Sequence, residues 1–284
     1  MNNSGSPTKI KYLTNKDLLE EIHVSKKTYC EFVDPKYGDY DFIVYDLRKV
    51  TKKKIEEARK KRVDDYIARK RKELIAGGKK NPTVTFNLDE VPPDSIVIRL
   101  MTFDHVPINE EKLHKAKTEA DRHMKCNFPP FQHFILKEGD FVCVGKSHWI
   151  GGMENGHFSV THGRMSNKLA MMFMKLVERY GHRGNWRGYT YIDEMKNQAL
   201  LQLSQIGLQF DESRSETPNP FAYYTAAITN SFTRILNIEK KNQNIRDDLL
   251  TMAGASPSYT RQTEQDMKRV AANSAAAMSQ HKDT

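Results

Sequence analysis

The spacing of apolar and polar positions changes character several times along the chain. Leu18, Leu19 and Ile22 form the apolar side of a short segment, NKDLLEEIHVSK, opened by Thr14-Asn15; this spacing predicts an amphipathic helix. From 51 to 76 polar residues dominate. Ile55, Val63, Ile67 and Leu74 leave only a thin apolar stripe, which predicts a long, mostly wet helix stopped by Gly77-Gly78. A period of two then takes over. TVTFNL, SIVIRLMTF, HFILK and DFVCVG read as strands, and INEEKLHKAKTEADRHMKC reads as a helix between them. Together they predict a small α+β module over 81–162, and DFIVYDL upstream reads as one more strand.

Helical periodicity returns after Met165. Leu169, Phe173, Leu176, Val177 and Tyr180 make a full buried stripe, which the run GHRGNWRG breaks. Thr190 and Asp193 have capping-box spacing for the next helix, TYIDEMKNQALLQLSQIGL, with Ile192, Met195, Ala199, Leu203 and Ile206 inside. The loop FDESRSETP leads to NPFAYYTAAITNSFTRILNIEKKN, where Asn219 suits an N-cap and Pro220 the first helical position. Phe221, Tyr224, Ile228, Phe232 and Ile235 should face a core. Tyr223, Ala226, Ala227, Asn230, Arg234, Asn237 and Lys241 recur on a second face. One aromatic ring, small residues, amides and cations suit contact with bases and phosphates, although a plain solvated face has the same polarity. RDDLLTMAG predicts a further short helix, and the Ser/Ala/Gln-rich tail a helical stretch without an apolar face.

Composition narrows the classes. With 284 residues, 38% hydrophobic and 29% charged, the chain can bury a sizeable core and still carry extended polar surface. No apolar run approaches membrane-spanning length, and MNNSGSPTKIK lacks an apolar signal segment; residues 1–11 read as disordered. Cys30, Cys126 and Cys143 are few and odd in number, which points to a reducing compartment. Between Arg48 and Lys80 fifteen Lys/Arg stand against five Asp/Glu, so this one segment accounts for the whole net charge of +9. A local phosphate-binding arm fits that distribution better than a generally basic protein. His123, His133, His148, His157 and His162, with Cys126 and Cys143, invite a metal reading, but none forms a CxxC, HxxxH or HExxH pair. Neither a metal nor another cofactor is assigned.

The run LVERYGHRGNWRGYTYIDEMKNQALLQLSQIGLQFDESRSETPNPFAYYTAAITNSFTRIL resembles region 2 of bacterial sigma factors. It is most similar to the late-transcription sigma factor of contractile-tailed bacteriophages, and the likeness covers about 165–250. The resemblance implies a sigma-region-2-like helical domain; with the small α+β module and long basic helix read above as an insertion in it, the chain is expected to be a mainly α protein. Taken with the residue patterns, the expected divisions are a helix of the sigma-like domain at 12–27, an insertion at 28–162 (basic helix 51–76, α+β module 81–162), a helical domain at 163–253 and a polar tail at 254–284. The implied activity is non-enzymatic: binding host core RNA polymerase, then recognising and melting the minus-ten element of late promoters, in the cytoplasm of the infected bacterial host.

On that resemblance Asp193, Glu194, Asn197, Gln198, Leu201 and Gln202 would meet the clamp helices of the largest polymerase subunit. Tyr223 matches the family's stacking tyrosine, with Phe210 and Arg214 where the other pocket walls belong. Asn230, Thr233 and Arg234 match positions that touch the upstream end of the element, while Lys240, Lys241 and Arg246 would hold phosphates. The two sets imply opposed working surfaces, one for protein and one for an unpaired nucleotide. Three departures stand out. Ala226-Ala227 replaces the paired tryptophans of housekeeping sigma factors; the tail ends AAAMSQHKDT in place of a short acidic–hydrophobic motif; and segment 28–162 has no counterpart in the family, nor is a minus-thirty-five reader visible. Coupling to a sliding clamp would then come through another protein, such as a late co-activator. Two other readings remain open: a metal-dependent nucleic-acid enzyme built on the His/Cys-rich 123–162 module, and a sequence-blind basic nucleic-acid-binding protein.

Overall fold

Thr14 caps α1 (Asn15–Lys27), its hydroxyl accepting from the Asp17 N–H while the Asp17 carboxylate accepts from the Thr14 N–H. The computed structural model describes residues 13–126, 128–148, 153–154, 157–158 and 164–280. The segment read as disordered (1–11), His162 and the last residues of the tail lie outside these. After α1 come β1 (Cys30–Phe32), β2 (Phe42–Val44), α2 (Lys52–Ala76), β3 (Ile98–Met101) and α3 (Glu119–Arg122). Then follow β4 (Phe131–Lys137), β5 (Asp140–Ser147), the short pair β6 (Met153–Glu154) and β7 (His157–Phe158), α4 (Asn167–Gly181), α5 (Ile192–Ile206), α6 (Pro220–Met252) and α7 (Tyr259–Gln280). Helices predominate, with one five-stranded mixed sheet. No helix among the described residues is long and apolar enough to cross a membrane, and all three cysteines are free.

The sheet has the order β1-β5-β4-β3-β2 and is antiparallel except for the β2–β3 pair. It therefore takes two strands from before α2, so the strands of this module begin at Cys30 and not after 81. DFIVYDL contributes only Phe42–Val44. Glu138 and Gly139 both adopt positive φ in the β4–β5 turn, which matches the twist of the flanking strands.

TVTFNL is not a strand. Residues 83–87 show alternating exposure but no ladder partner, and a 3-10 turn follows at Leu88–Glu90. The alternation comes from laying one side of the segment on α2, where Phe86 stacks on Tyr66 with ring centroids 4.2 Å apart. Arg59 of α2 donates to the carbonyls of Leu88 (2.9 Å) and Val91 (2.6 Å), filling the role of a neighbouring strand. The helix expected over INEEKLHKAKTEADRHMKC is also absent. That segment forms a 3-10 stretch, Glu110–Lys115, and the four-residue α3, because its apolar positions reach no core and Leu113 stays exposed.

The main core joins α1, α4, α5 and α6. Leu18, Ile22, Leu169, Met195, Ala199, Leu203, Tyr224 and Phe232 are completely buried there. The Thr190–Asp193 capping box does not form: Tyr191 is the N-cap and supplies no side-chain bond, while Asp193 lies 3.6 Å from Lys196 instead. RDDLLTMAG is not a separate helix. It continues α6 without a break, giving 33 residues. Gly254, at φ 75, ends that run. Asp247 then accepts from the Ser258 N–H (3.0 Å) and hydroxyl (2.6 Å), which ties the start of α7 back to α6.

Candidate nucleic-acid interface

Asn219 caps α6 by accepting from the Ala222 N–H at 3.0 Å, and Pro220 opens the helix. The Tyr224 hydroxyl donates to the Gly207 carbonyl at 2.6 Å, just past the end of α5. Eight residues later Phe232 packs on Trp186, which precedes α5, with centroids 5.2 Å apart. The two helices are therefore antiparallel. Tyr180 of α4 hydrogen-bonds Thr229 at 2.7 Å and fixes the rotation of α6 about its axis. With Tyr224, Ile228, Phe232 and Ile235 turned inward, helical periodicity leaves the row from Tyr223 to Lys241 facing out.

Tyr223 is half-buried and braced edge-on by Phe210 (5.5 Å, 62°) and Tyr224 (5.3 Å, 72°). Burial raises its phenol pKa, partly offset by the charge of Arg214. Ala226 is exposed and Ala227 half-buried beside it. Asn230, Thr233, Arg234, Lys240, Lys241 and Arg246 are all exposed. Among the described residues the side chains of Asn230, Thr233, Arg234, Asn237, Lys240 and Lys241 have no intramolecular hydrogen-bond or ion-pair partner. This face of α6 is thus supplied with donors and cations that the fold itself does not use.

Phe210 does not line the groove. It is 7% exposed and lies in the core, supporting Tyr223 from beneath. Arg214 is exposed and donates to Asp211 at 3.1 Å. It borders a different depression, shared with Phe103, Lys125 and Tyr45 of the inserted segment. Tyr223 and Arg214 therefore flank the 210–214 turn and do not close one pocket.

The surfaces expected on α5 and α6 are neighbours, not opposed. Asp193, Glu194, Asn197 and Leu201 are exposed on the outer side of α5. Gln198 and Gln202 sit closer to α6 and share a groove with Tyr223, Asn230 and Arg234. Successive helical positions turn by about 100°. That rotation places these two glutamines between the buried Met195–Ala199 side and the outer face, against the antiparallel neighbour.

A buried polar cluster holds the 208–214 turn to the sheet. The Glu212 carboxylate accepts from Arg99 of β3 at 2.7 Å, Lys26 of α1 at 3.2 Å and the Tyr40 hydroxyl at 3.4 Å. Lys26 also donates to the Phe210 carbonyl at 2.7 Å. The Arg99 guanidinium lies 3.8 Å from the centroids of both Tyr40 and Phe131. Its Nε donates to His133 Nε2 at 3.0 Å. A guanidinium only donates, so that nitrogen carries a lone pair, and Nδ1 keeps the proton it gives to the Tyr37 carbonyl at 2.7 Å. Burial, with the Arg99 charge behind it, pushes the His133 pKa down to about 3. Burial likewise lowers His23 to about 4. It works to raise Glu212, but the charges of Lys26, His23 and Arg99 outweigh it and hold that carboxyl below its usual range.

Sequence reasoning missed Glu212, one acid in a polar loop with no local signal. Arg99 did leave one: a cation inside the apolar run SIVIRLMTF. Among the described residues the histidines and cysteines do not cluster. His133 belongs to the buried cluster, His123 stacks on Phe103, and Cys143 is exposed. Among the described residues no three His, Cys, Asp or Glu side chains converge as a metal site; the side chain of His157 lies outside that description. On α2 the cations Lys60, Lys61, Arg71 and Lys72 point to solvent. No protein-family model matches the chain, and neither a curated protein nor a solved structure matches it significantly.

Proposed function

We propose that this protein is a sigma factor of the phage late-transcription type, which docks on a core RNA polymerase and traps an unpaired base of a minus-ten element. The observation that carries this reading is the outward row on α6: a braced aromatic ring followed by Asn230, Thr233, Arg234, Asn237 and Lys241, none with an intramolecular partner among the described residues. Taking a base out of the stack costs a few kcal/mol, and stacking on one aromatic side chain returns about 1–3 kcal/mol. Tyr223 alone therefore only roughly balances the flip, and the amides and cations beyond it supply the remainder. Lys240, Lys241 and Arg246 would hold phosphates, which position the strand without reading it. Asp193, Glu194, Asn197 and Leu201 offer acids, an amide and one exposed leucine to the basic side of a polymerase coiled coil. The cations of α2 add attraction that does not depend on sequence.

A second reading draws on that same helix: a sequence-blind nucleic-acid-binding protein whose α4–α6 unit is only a scaffold. Co-purification with bacterial core polymerase, followed by run-off transcription from an AT-rich promoter that carries only a minus-ten element, separates the two. The sigma reading expects a stable complex and a discrete transcript. Absence of both, with salt-sensitive binding to any DNA, leaves the second.

A further inference from the structure

The groove between α5 and α6 has a volume of about 360 Å³, with an apolar floor of Ile206, Ala226 and Ala227 and a set of polar side chains around it. Gln198, Gln202, Asn230 and Arg234 reach it, and among the described residues none of these side chains has a hydrogen-bond partner. Ser231 lines it too. It is 6% exposed, and among the described residues its hydroxyl has no hydrogen-bond partner. A buried hydroxyl without a partner is uncommon and costs stability, so its persistence beside three free amides needs a reason. Tyr223 forms one wall of the same groove.

We infer that Gln198 and Gln202 belong to the nucleic-acid site and read the edge of the base held on Tyr223, with Ser231 adding a further hydrogen bond. The inference rests on the proposed function and assigns two residues of the expected polymerase face to a different task. Its chemistry is specific. A carboxamide presents one donor beside one acceptor, which pairs bidentately with the amino group and ring nitrogen on the edge of adenine. Arginine suits phosphate or guanine better, so Arg234 takes the backbone and the glutamines take the base. Gln198 and Gln202 lie one turn apart on α5, about 6 Å by helical rise. That separation lets both side chains reach one planar ligand from the side opposite α6. Asp193, Glu194, Asn197 and Leu201 turn away from the groove and keep the polymerase contact.

The test uses the full chain with core polymerase and a forked promoter DNA carrying one unpaired base at the trapped position. Affinity is measured for adenine and for purine, which lacks the exocyclic amine, with the native protein, Gln198→Ala and Gln202→Ala. The native protein should bind the adenine fork about 5- to 100-fold tighter than the purine fork, the range one bidentate contact supplies. Each alanine variant should bring that ratio close to one, while affinity for polymerase without DNA stays within about twofold. Alanine is the better helix former, so these variants should keep the fold, and a thermal melt of each confirms it. Ser231→Ala should raise the melting temperature and weaken fork binding together. Two outcomes overturn the inference: an unchanged adenine preference in both glutamine variants, or a loss confined to polymerase binding. If the native protein forms no complex with polymerase, the proposed function fails and this assignment falls with it.

Discussion

Glu212 ties three parts of the molecule together. It meets cations from α1 and β3 while sitting two residues after Phe210, the ring that braces Tyr223. Removing it leaves Lys26 and Arg99 buried without a counter-charge. Breaking a buried pair in this way costs about 3–5 kcal/mol, so Glu212→Ala should lower the urea midpoint sharply. Replacing Glu212, Arg99 and Lys26 together by apolar residues of similar volume should recover much of that loss, because no buried charge is then left unpaired. His133 supplies the pH test. Its folded pKa lies near 3 and its unfolded value near 6.5, so the unfolded chain binds the extra proton between them. The stability it contributes is complete above about pH 6.5 and is lost as pH falls toward 3. The loss is about 1.4 kcal/mol per pH unit. His23 adds to the loss down to about pH 4. Urea melts from pH 7 to 4 should show this slope, and His133→Gln should flatten it.

Among the elements, burial decided which sequence signals became structure. The stripes of α4 and α6 were legible because each places several large side chains in one core, and the structure buries Leu169, Phe173, Leu176, Val177 and Tyr180 together. Asn219-Pro220 was legible because capping is local chemistry. TVTFNL misled because an extended chain on a helix and a strand in a sheet share a period of two, and only the partner differs. The capping-box spacing at Thr190 misled because α5 begins at Ile192, after the turn in which Tyr189 and Tyr191 pack against each other. The long helix α2 buries only Ile55 and Ala58; Lys60, Lys61, Arg71 and Lys72 are exposed, whereas Arg59 and Arg62 bond to the segments beside the helix. Replacing Lys60, Lys61, Arg71 and Lys72 by Gln should leave the melting temperature nearly unchanged. The salt slope of DNA binding should fall by about 0.9 for each phosphate that α2 no longer neutralises. An unchanged slope would remove α2 from the interface.

At the scale of the whole molecule, the inserted sheet and the helical unit share buried ion pairs and should lose structure in one transition. That coupling was invisible in the sequence, because Glu212 and Arg99 are 113 residues apart and nothing in the cation of SIVIRLMTF names its partner. The outer face of α6 was legible from spacing alone. Its adjacency to Gln198 and Gln202 was not, since it depends on how two helices pack. Tyr223, as the platform for an unpaired base, is the centre of the proposed function. Permanganate reactivity of promoter thymines, in a complex with core polymerase, measures that role directly. The native protein and Tyr223→Phe should both expose reactive thymines in the minus-ten element, whereas Tyr223→Ala should bind polymerase normally and expose none. Equal reactivity with Tyr223→Ala, or none with the native protein, would contradict it.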